Sequence, residues 1–460
     1  MMASLEPYRH RVAQAALTRR IGQVRHVGGL SVEVDGLNAT VGELCEVWPR
    51  ESSEDVELAC PVLAEVVGVR ADHLALMTYG SVHGLAAGCE VVALGVRSRI
   101  GVGEGLLGRV IDGFGAPLDG LAPPVVTEHR LLRGTPINPM QRPRIDRVLE
   151  TGIRAIDTLL TLGQGQRVGI FAGSGGGKST LLGLIARHVK ADTNVIALIG
   201  ERGREVREFI DKQLGPEGLR RSVVVVAASD QPALSRLRAA YAALAIAEYF
   251  RERSQQVVLT MDSVTRFAMA RREVGLAAGE PPTARGYTPS VFSALPELCE
   301  RCGTGPSGGS ITALMTVLVE GDDLNEPISD NLRAILDGHI VLSRQLAQSG
   351  HYPAIDVLQS ASRVMPDIIS SSHRDLVLQA VQVLALLERS RQMVDIGAYE
   401  HGSNAQLDFA LVKQPRLLGW LLQGEGGVPA AQGLAELAAI FKHRQGIERQ
   451  GPAPNEGRDA

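Results

Sequence analysis

Aromatic side chains make up only 4% of the 460 residues. That scarcity argues against nucleic-acid binding by base stacking. Charge of either sign is not in excess: 47 Lys plus Arg against 51 Asp plus Glu leave a formal −4 and a pI near 6.3. Nothing therefore draws the chain as a whole to nucleic acid or to an anionic membrane. Long hydrophobic runs are missing too. None reaches the roughly 18 to 20 residues that a spanning helix needs, and the polar start Met1–His10 is unlike a secretory signal. The expected compartment is the cytoplasm. The five cysteines (Cys45, Cys60, Cys89, Cys299, Cys302) are odd in number and scattered, which fits a reducing compartment rather than a disulfide framework. Cys299 and Cys302 have CxxC spacing, but neither a second Cys pair nor a His pair follows, so the spacing reads as coincidence rather than zinc.

What is present is an ordinary core composition, 45% hydrophobic and 21% charged, in a chain long enough for roughly three domains. Residues 1–20 place Leu5, Tyr8, Val12, Ala15 and Ala16 at helical spacing, with Arg9, Arg11, Arg19 and Arg20 on the polar side. So short an amphipathic helix cannot bury its own stripe, and it reads either as a docking element or as a frayed end. Residues 21–98 are short β-like runs (Ser31–Val34, Cys60–Val69, Leu74–Met77, Glu90–Leu94) broken by Gly and Asn, the pattern of a small β-barrel. From Ile21 to Arg97 there are four Arg and no Lys against eleven acids, and Trp48 and Tyr79 are the aromatics. A nucleic-acid-binding barrel needs the reverse.

Residues 99–372 turn to α/β. Apolar runs at Gln166–Phe171, Asn194–Ile199, Ser222–Ala227, Gln256–Met261, Ile311–Val319 and His339–Leu342 alternate with helical stretches, which argues a mostly parallel sheet covered on both faces. Residues 373–445 read as a helical domain, with helices over Leu376–Leu387 and Leu434–Phe441 and a glycine-rich break at Gly424–Gly427. Residues 446–460 read as a disordered tail.

The most informative stretch is Ala172-Gly-Ser-Gly-Gly-Gly-Lys-Ser-Thr180, set between the apolar run Val168–Phe171 and the helical run Leu181–Ala186. Strand, glycine loop and helix in that order make a phosphate-binding P-loop, a context in which flexible linkers do not occur. Gly173, Gly175, Gly176 and Gly177 let the backbone N–H groups turn inward around a phosphate, beside Ser174. The helix adds its positive end. Lys178 is expected to reach the terminal phosphates of ATP, the Ser179 hydroxyl to ligate Mg2+, and Thr180 to line the same site. Ala172 stands where the strict pattern has Gly, a small change that leaves the loop intact.

A P-loop implies a nucleotide; hydrolysis needs more. Val257–Asp262 is an apolar strand ending in an acid, which places Asp262 at the sheet's C-terminal edge to hold Mg2+ directly or through water. Glu201 follows another apolar strand and reaches the same edge, where it can polarise the attacking water while Arg202 offsets phosphate charge. The bland alternative for the pair is a solvated charged turn. Arg266, four residues past Asp262, either anchors phosphate or bridges acids. Arg363 lies too far along the sheet order to assume that it meets its own subunit's phosphate.

With these residues in place, the runs Gly200–Phe209, Met261–Ala270, Gly279–Pro296, Val319–Asp323, Ile335–Arg344 and Gly350–Asp356 resemble the type III export ATPases, flagellar and injectisome, which are relatives of the rotary ATP synthase catalytic subunit. Leu107–Gly120 matches the superfamily's entry into its ATPase domain. The likeness spans about residues 20 to 445 and is most specific from 150 to 365. It implies a RecA-like P-loop core, an N-terminal barrel and a C-terminal helical domain. By the same resemblance Glu201 is the catalytic carboxylate, Asp262 organises Mg2+, Tyr352 packs on adenine, and Arg363 is an arginine finger for a neighbouring subunit's nucleotide. For Tyr352 an ordinary core or interface role remains the alternative. The implied assembly is a homohexamer at the inner face of the cytoplasmic membrane. Its implied partners are a stator-like protein at the N-terminal helix, stalk-like and export-gate proteins, and export substrates with their chaperones. Gly176 stands where the family often has Val or Thr, and Leu314-Met315 where it often has Phe-Tyr; neither touches a catalytic group. Three other readings share the P-loop: a rotary synthase subunit, a hexameric nucleic-acid translocase, and a non-catalytic nucleotide-binding scaffold. The wording of residues 200–209 and 279–296 opposes the first, and the acidic, aromatic-poor barrel opposes the second. The joint presence of Glu201, Tyr352 and Arg363 favours a homohexamer that carries both halves of an interfacial site.

Overall fold

The computed structural model describes residues 19–29, 31–49, 60–173, 175–319, 321 and 323–442. Ser174 and the tail expected over 446–460 lie outside the described residues, as does the helix expected over 1–20 except for its last two positions. There Arg20 already opens the first strand.

Six antiparallel strands close a barrel in the order β1-β2-β5-β4-β3-β6: β1 (Arg20–Val27), β2 (Val32–Asp35), β3 (Glu43–Trp48), β4 (Val62–Val69), β5 (Leu74–Thr78) and β6 (Glu90–Arg97). Val32, Val34, Val66, Leu76 and Val91 fill its interior. The periodicity of the sequence reveals four of these strands and misses β1 and β3. In β1 the inward positions are Gly22 and Val24, flanked by the exposed Ile21, Gln23 and Arg25, and a Cβ on Gly22 would stand 2.6 Å from the Asp35 carbonyl oxygen. Strand β3 begins with a buried acid, Glu43, held by Arg20 and by the Thr40 and Gly95 N–H groups.

The second layer is a nine-stranded sheet. Its main path runs β14-β13-β8-β12-β11-β9-β10-β7. The strands are β7 (Val110–Asp112), β8 (Arg167–Ala172), β9 (Thr193–Ile199), β10 (Ser222–Ala227), β11 (Gln256–Asp262), β12 (Ser310–Leu318), β13 (Gly338–Leu342) and β14 (Ile355–Ser362). Strands β7 to β13 pair in parallel; β14 runs antiparallel to β13, and Gly303–Thr304 adds a short antiparallel strand beside β12. The six central strands agree with the apolar runs to within a residue. The edge strands carry no such run: β7 is only three residues long, and β14 mixes buried and exposed positions.

Helices cover both faces. On one side α2 (Ala233–Glu252), which follows α1 (Lys178–His188), is buried nearly all round, as its alanine-rich sequence allows. On the other side lie α1 and the C-terminal helices α4 (Ser371–Asp395), α5 (Ala405–Leu421) and α6 (Ala430–Lys442), whose Leu417, Trp420 and Leu437 belong to the same core as Leu181, Leu184 and Ile340. Between α2 and α4, α3 (Val264–Ala277) lies on the α2 side. Helix α5 is not evident in the sequence because Pro415 and the buried Lys413 interrupt its pattern; the Lys413 ammonium donates to the Ile440 carbonyl at 2.7 Å.

The motif Leu107–Gly120 contains β7 and is knotted by Asp119. Its carboxylate accepts Arg109 Nε at 2.7 Å and Nη2 at 3.0 Å, and also the Val110 and Leu121 N–H groups. The Arg109 hydrogen bonds above all, helped by the two N–H groups, outweigh burial and hold the Asp119 carboxyl well below the usual carboxylate range. A carboxylate with a depressed folded pKa stabilises the fold above its unfolded value, near 3.9, and loses that contribution as pH falls through the folded value. Asp119→Asn is therefore expected to destabilise by about 2 kcal/mol at neutral pH. In chemical denaturation, the gap from wild type should narrow steadily as pH drops below about 4; a gap unchanged down to pH 3 would refute this role.

Candidate functional site

The sheet places the C-terminal ends of β8, β9 and β11 along one edge. Ala172 is level with Leu318 of β12 and with Leu342 of β13, and Leu198 is level with Asp262. Each strand is buried up to that edge, where β11 ends in Asp262, β9 is followed by Gly200 and Glu201, and β8 runs through the glycine loop to Lys178. The result brings Lys178, Glu201 and Asp262 together from positions far apart in sequence.

Gly177 precedes α1 in the left-handed region, at φ 78°, and among the described residues no side chain caps the helix. Its first N–H groups are thus left for an acceptor from outside the helix. Gly175 is also left-handed, at φ 81°. The Lys178 ammonium lies 2.5 Å from Asp262 Oδ1 and 3.2 Å from Glu201 Oε1. Burial works to lower the lysine pKa, but the charges and hydrogen bonds of Asp262 and Glu201 outweigh it and hold the ammonium above its ordinary value. Lys178 is therefore a fixed cation.

Glu201 is 7% exposed and Asp262 3% exposed. Glu201 lies between two cations: Arg266 Nη2 approaches its Oε2 at 3.6 Å, while Arg266 Nη1 donates to the Gly200 carbonyl. Arg266 is aimed by its own helix, because the Ser263 hydroxyl accepts the Arg266 N–H and caps α3. Of the two alternatives for Arg266, the ion pair with Glu201 is the one seen; the side chain also lines the cavity.

That cavity, about 790 Å³, is walled by Gly173, Gly175, Gly176, Gly177, Lys178, Ser179, Thr180, Glu201, Arg202 and Arg266. Arg202 has a side chain 78% exposed and pairs with Glu205 at 3.5 Å. Tyr352 is not in the cavity wall, but its ring lies over the loop: a Cβ on Gly177 would come within 3.2 Å of Tyr352 Cε1. Triphosphate fits this cradle, since it brings acceptors to the uncapped N–H groups and negative charge to Lys178. The Ser179 hydroxyl and the Asp262 carboxylate are oxygen donors of the kind Mg2+ takes when phosphates supply the rest.

Arg363 is placed elsewhere. Ser362 pairs with Gly338 at the opposite end of β13 from Leu342, and the exposed Arg363 guanidinium donates to the Arg333 carbonyl at 3.1 Å. Four residues of strand, roughly 13 Å, separate that level from the P-loop end.

Residues 152–362 match the family model of the ATP synthase alpha/beta family, nucleotide-binding domain. Residues 369–439 match that of the T3SS EscN ATPase C-terminal domain. The flagellum-specific ATP synthase of Bacillus subtilis (strain 168) is 54% identical over 411 residues, spanning 88% of this chain and 91% of that protein. The chain belongs to the type III export ATPases. Its fold agrees: the assembled ATPase EscN of the enteropathogenic E. coli type III secretion system superposes with a TM-score of 0.85 at 42% identity, covering 91% of this chain and 99% of that one. EscN in complex with its central stalk EscO gives 0.82 at 42% identity with the same coverage. The chain is accordingly an ATP-binding ATPase with a RecA-like core, a six-stranded barrel and C-terminal helices. Among the described residues no helix is long and apolar enough to cross a membrane.

In this export ATPase the cavity wall also includes Thr265, Arg285 and Glu326, which the sequence reading does not single out. Arg285 sits at φ 51° and pairs with Asp323 at 3.2 Å. Thr316 is missed as well: its fully buried hydroxyl donates to Asp262 Oδ1 at 2.8 Å. The available signal is an isolated hydroxyl in the otherwise apolar end of a central strand.

Proposed function

We propose that this ATPase works as a homohexameric ring of a flagellar export apparatus, at the cytoplasmic face of the membrane, releasing chaperones and delivering unfolded substrates. The observation that carries the catalytic part is Lys178 held between Glu201 and Asp262 under an uncapped P-loop helix. Lys178 leaves the two carboxylates for the terminal phosphates of ATP, while the N–H groups of the loop and of α1 hold the phosphate oxygens. Glu201, released from the lysine, orients the attacking water and takes its proton. Arg202 and Arg266 offset charge along the cavity, and Arg266 also steadies Glu201 through their ion pair. Ser179 and Asp262 would hold Mg2+, which when bound neutralises charge on the phosphates. Tyr352, seated over Gly177, provides the adenine contact, and Arg363 serves the neighbouring subunit's site.

The assembled state of EscN and its stalk complex support a ring with a stalk-like partner. A stator-like partner for residues 1–20 and an export-gate partner follow from the family resemblance. So do the cargo and the location. The 54% and 51% identities to two flagellum-specific relatives, against 48% and 46% to two type 3 secretion system ATPases, favour the flagellar system by a small margin. A strain lacking this chain is expected to lose its flagellar filaments and to regain them on complementation, scored by electron microscopy. Retained filaments with lost effector secretion would move the chain to an injectisome.

A further inference from the structure

Asp262 has two donors on one oxygen. Lys178 Nζ reaches Oδ1 at 2.5 Å, and Thr316 Oγ1 reaches the same Oδ1 at 2.8 Å, with the Met261 carbonyl 3.2 Å from that hydroxyl as its other acceptor. The two donors differ in what holds them. Lys178 ends a flexible stem at the mouth of a phosphate cradle, where a triphosphate competes for it. Thr316 is fully buried on β12, paired with Ile170 of the P-loop strand on one side, one residue beyond the pairing of Met315 with Met261 on the other. It cannot follow the lysine.

We propose that Thr316 is a positioning residue for Asp262, the fixed donor that keeps its carboxylate oriented once Lys178 has moved to the nucleotide. This rests on the reading of Asp262 as the Mg2+-organising acid. A buried carboxylate stripped of its donors is costly and free to rotate. With Oδ1 pinned by a hydroxyl that stays in place, Oδ2 keeps a constant direction through the nucleotide-bound part of the cycle. Partners of this kind, which orient a metal-binding group without touching the metal, typically set metal affinity by 10- to 100-fold.

The test is equilibrium binding of a fluorescent, non-hydrolysable ATP analogue to the full chain, first without divalent metal and then across an Mg2+ titration. Thr316→Val, nearly the same shape without the hydroxyl, is expected to leave metal-free nucleotide affinity unchanged. It should raise the Mg2+ concentration needed for half the metal-dependent signal by roughly 10-fold or more. Thr316→Ser should restore the wild-type requirement, which a purely packing role would not predict. Should the valine variant fail to fold, Thr316→Ala is titrated in its place with the same expectation. In an Asp262→Asn background the valine change should add nothing further. A wild-type Mg2+ requirement in the folded valine or alanine variant, or no recovery in the serine variant, overturns the proposal. Wild-type protein that binds the analogue with no Mg2+ dependence at all would instead overturn the underlying reading of Asp262.

Discussion

Glu201→Gln is expected to bind ATP as tightly as the wild type, or slightly more tightly, while turning over roughly 10²- to 10⁴-fold more slowly. The two effects separate because binding and water activation use different groups. The phosphate cradle consists of the loop's N–H groups and Lys178, none of which changes. Glutamine is nearly isosteric, so its carbonyl can still meet Lys178 at the Oε1 position, now 3.2 Å from the ammonium. It carries no charge to compete with phosphate for the lysine, and this is why affinity should not fall. What it loses is the ability to accept a proton from water. Glu201 suits that task because it is almost fully buried, stands between Lys178 and Arg266, and lines the cavity where the water would be held. Steady-state hydrolysis measured beside equilibrium binding of a fluorescent nucleotide decides the matter. Equal turnover removes Glu201 from the role of base, whereas unchanged turnover per bound nucleotide with weakened binding would make it a cradle residue.

The legibility of this site follows from how a parallel sheet is built. Lys178, Glu201 and Asp262 each stand just after, or at the end of, a run of apolar residues, and strands buried on both faces deliver such residues to one edge. Sequence spacing therefore locates all three. It does not say that the lysine bridges both acids, because that depends on strand order: β12 lies between β8 and β11, and β9 beyond β11. Thr316 shows the limit sharply. A lone threonine among Leu314, Met315, Val317 and Leu318 reads as an ordinary β-former, and only the neighbouring strand's carboxylate gives its hydroxyl a purpose. Tyr352 lies in a loop without periodic signal, and the family resemblance singles it out where spacing does not. The barrel strands β1 and β3 are obscured by a glycine and a buried glutamate at inward positions, and helix α5 by an internal proline. In each case a local pattern is overridden by a tertiary contact.

Arg363→Ala is expected to abolish most turnover, by roughly 10³- to 10⁵-fold if it acts as an arginine finger. It should do so without weakening nucleotide binding by an isolated subunit. The fold carries Arg363 away from its own subunit's loop, so a finger role would be played across subunits. Strand β14 begins at Ile355, level with Leu342 at the P-loop end, and runs antiparallel to β13 until Ser362 meets Gly338 at the far end. The residues just before β14 thus contact the chain's own loop, as Tyr352 does at Gly177, and the residue just after it is carried away from that loop. Arg363 is exposed there, and its guanidinium has only a carbonyl, that of Arg333, as hydrogen-bond partner among the described residues. Mixing the two inactive variants tests the arrangement. An Arg363→Ala subunit still supplies an intact Glu201, and a Glu201→Gln subunit still supplies an intact Arg363. In a randomly mixed equimolar ring about one interface in four pairs the two intact halves. Activity should therefore rise from near zero to at most about a quarter of wild type, with a maximum near equal proportions. A mixture that forms rings yet stays as inactive as its components would place the function of Arg363 within its own subunit, or outside catalysis.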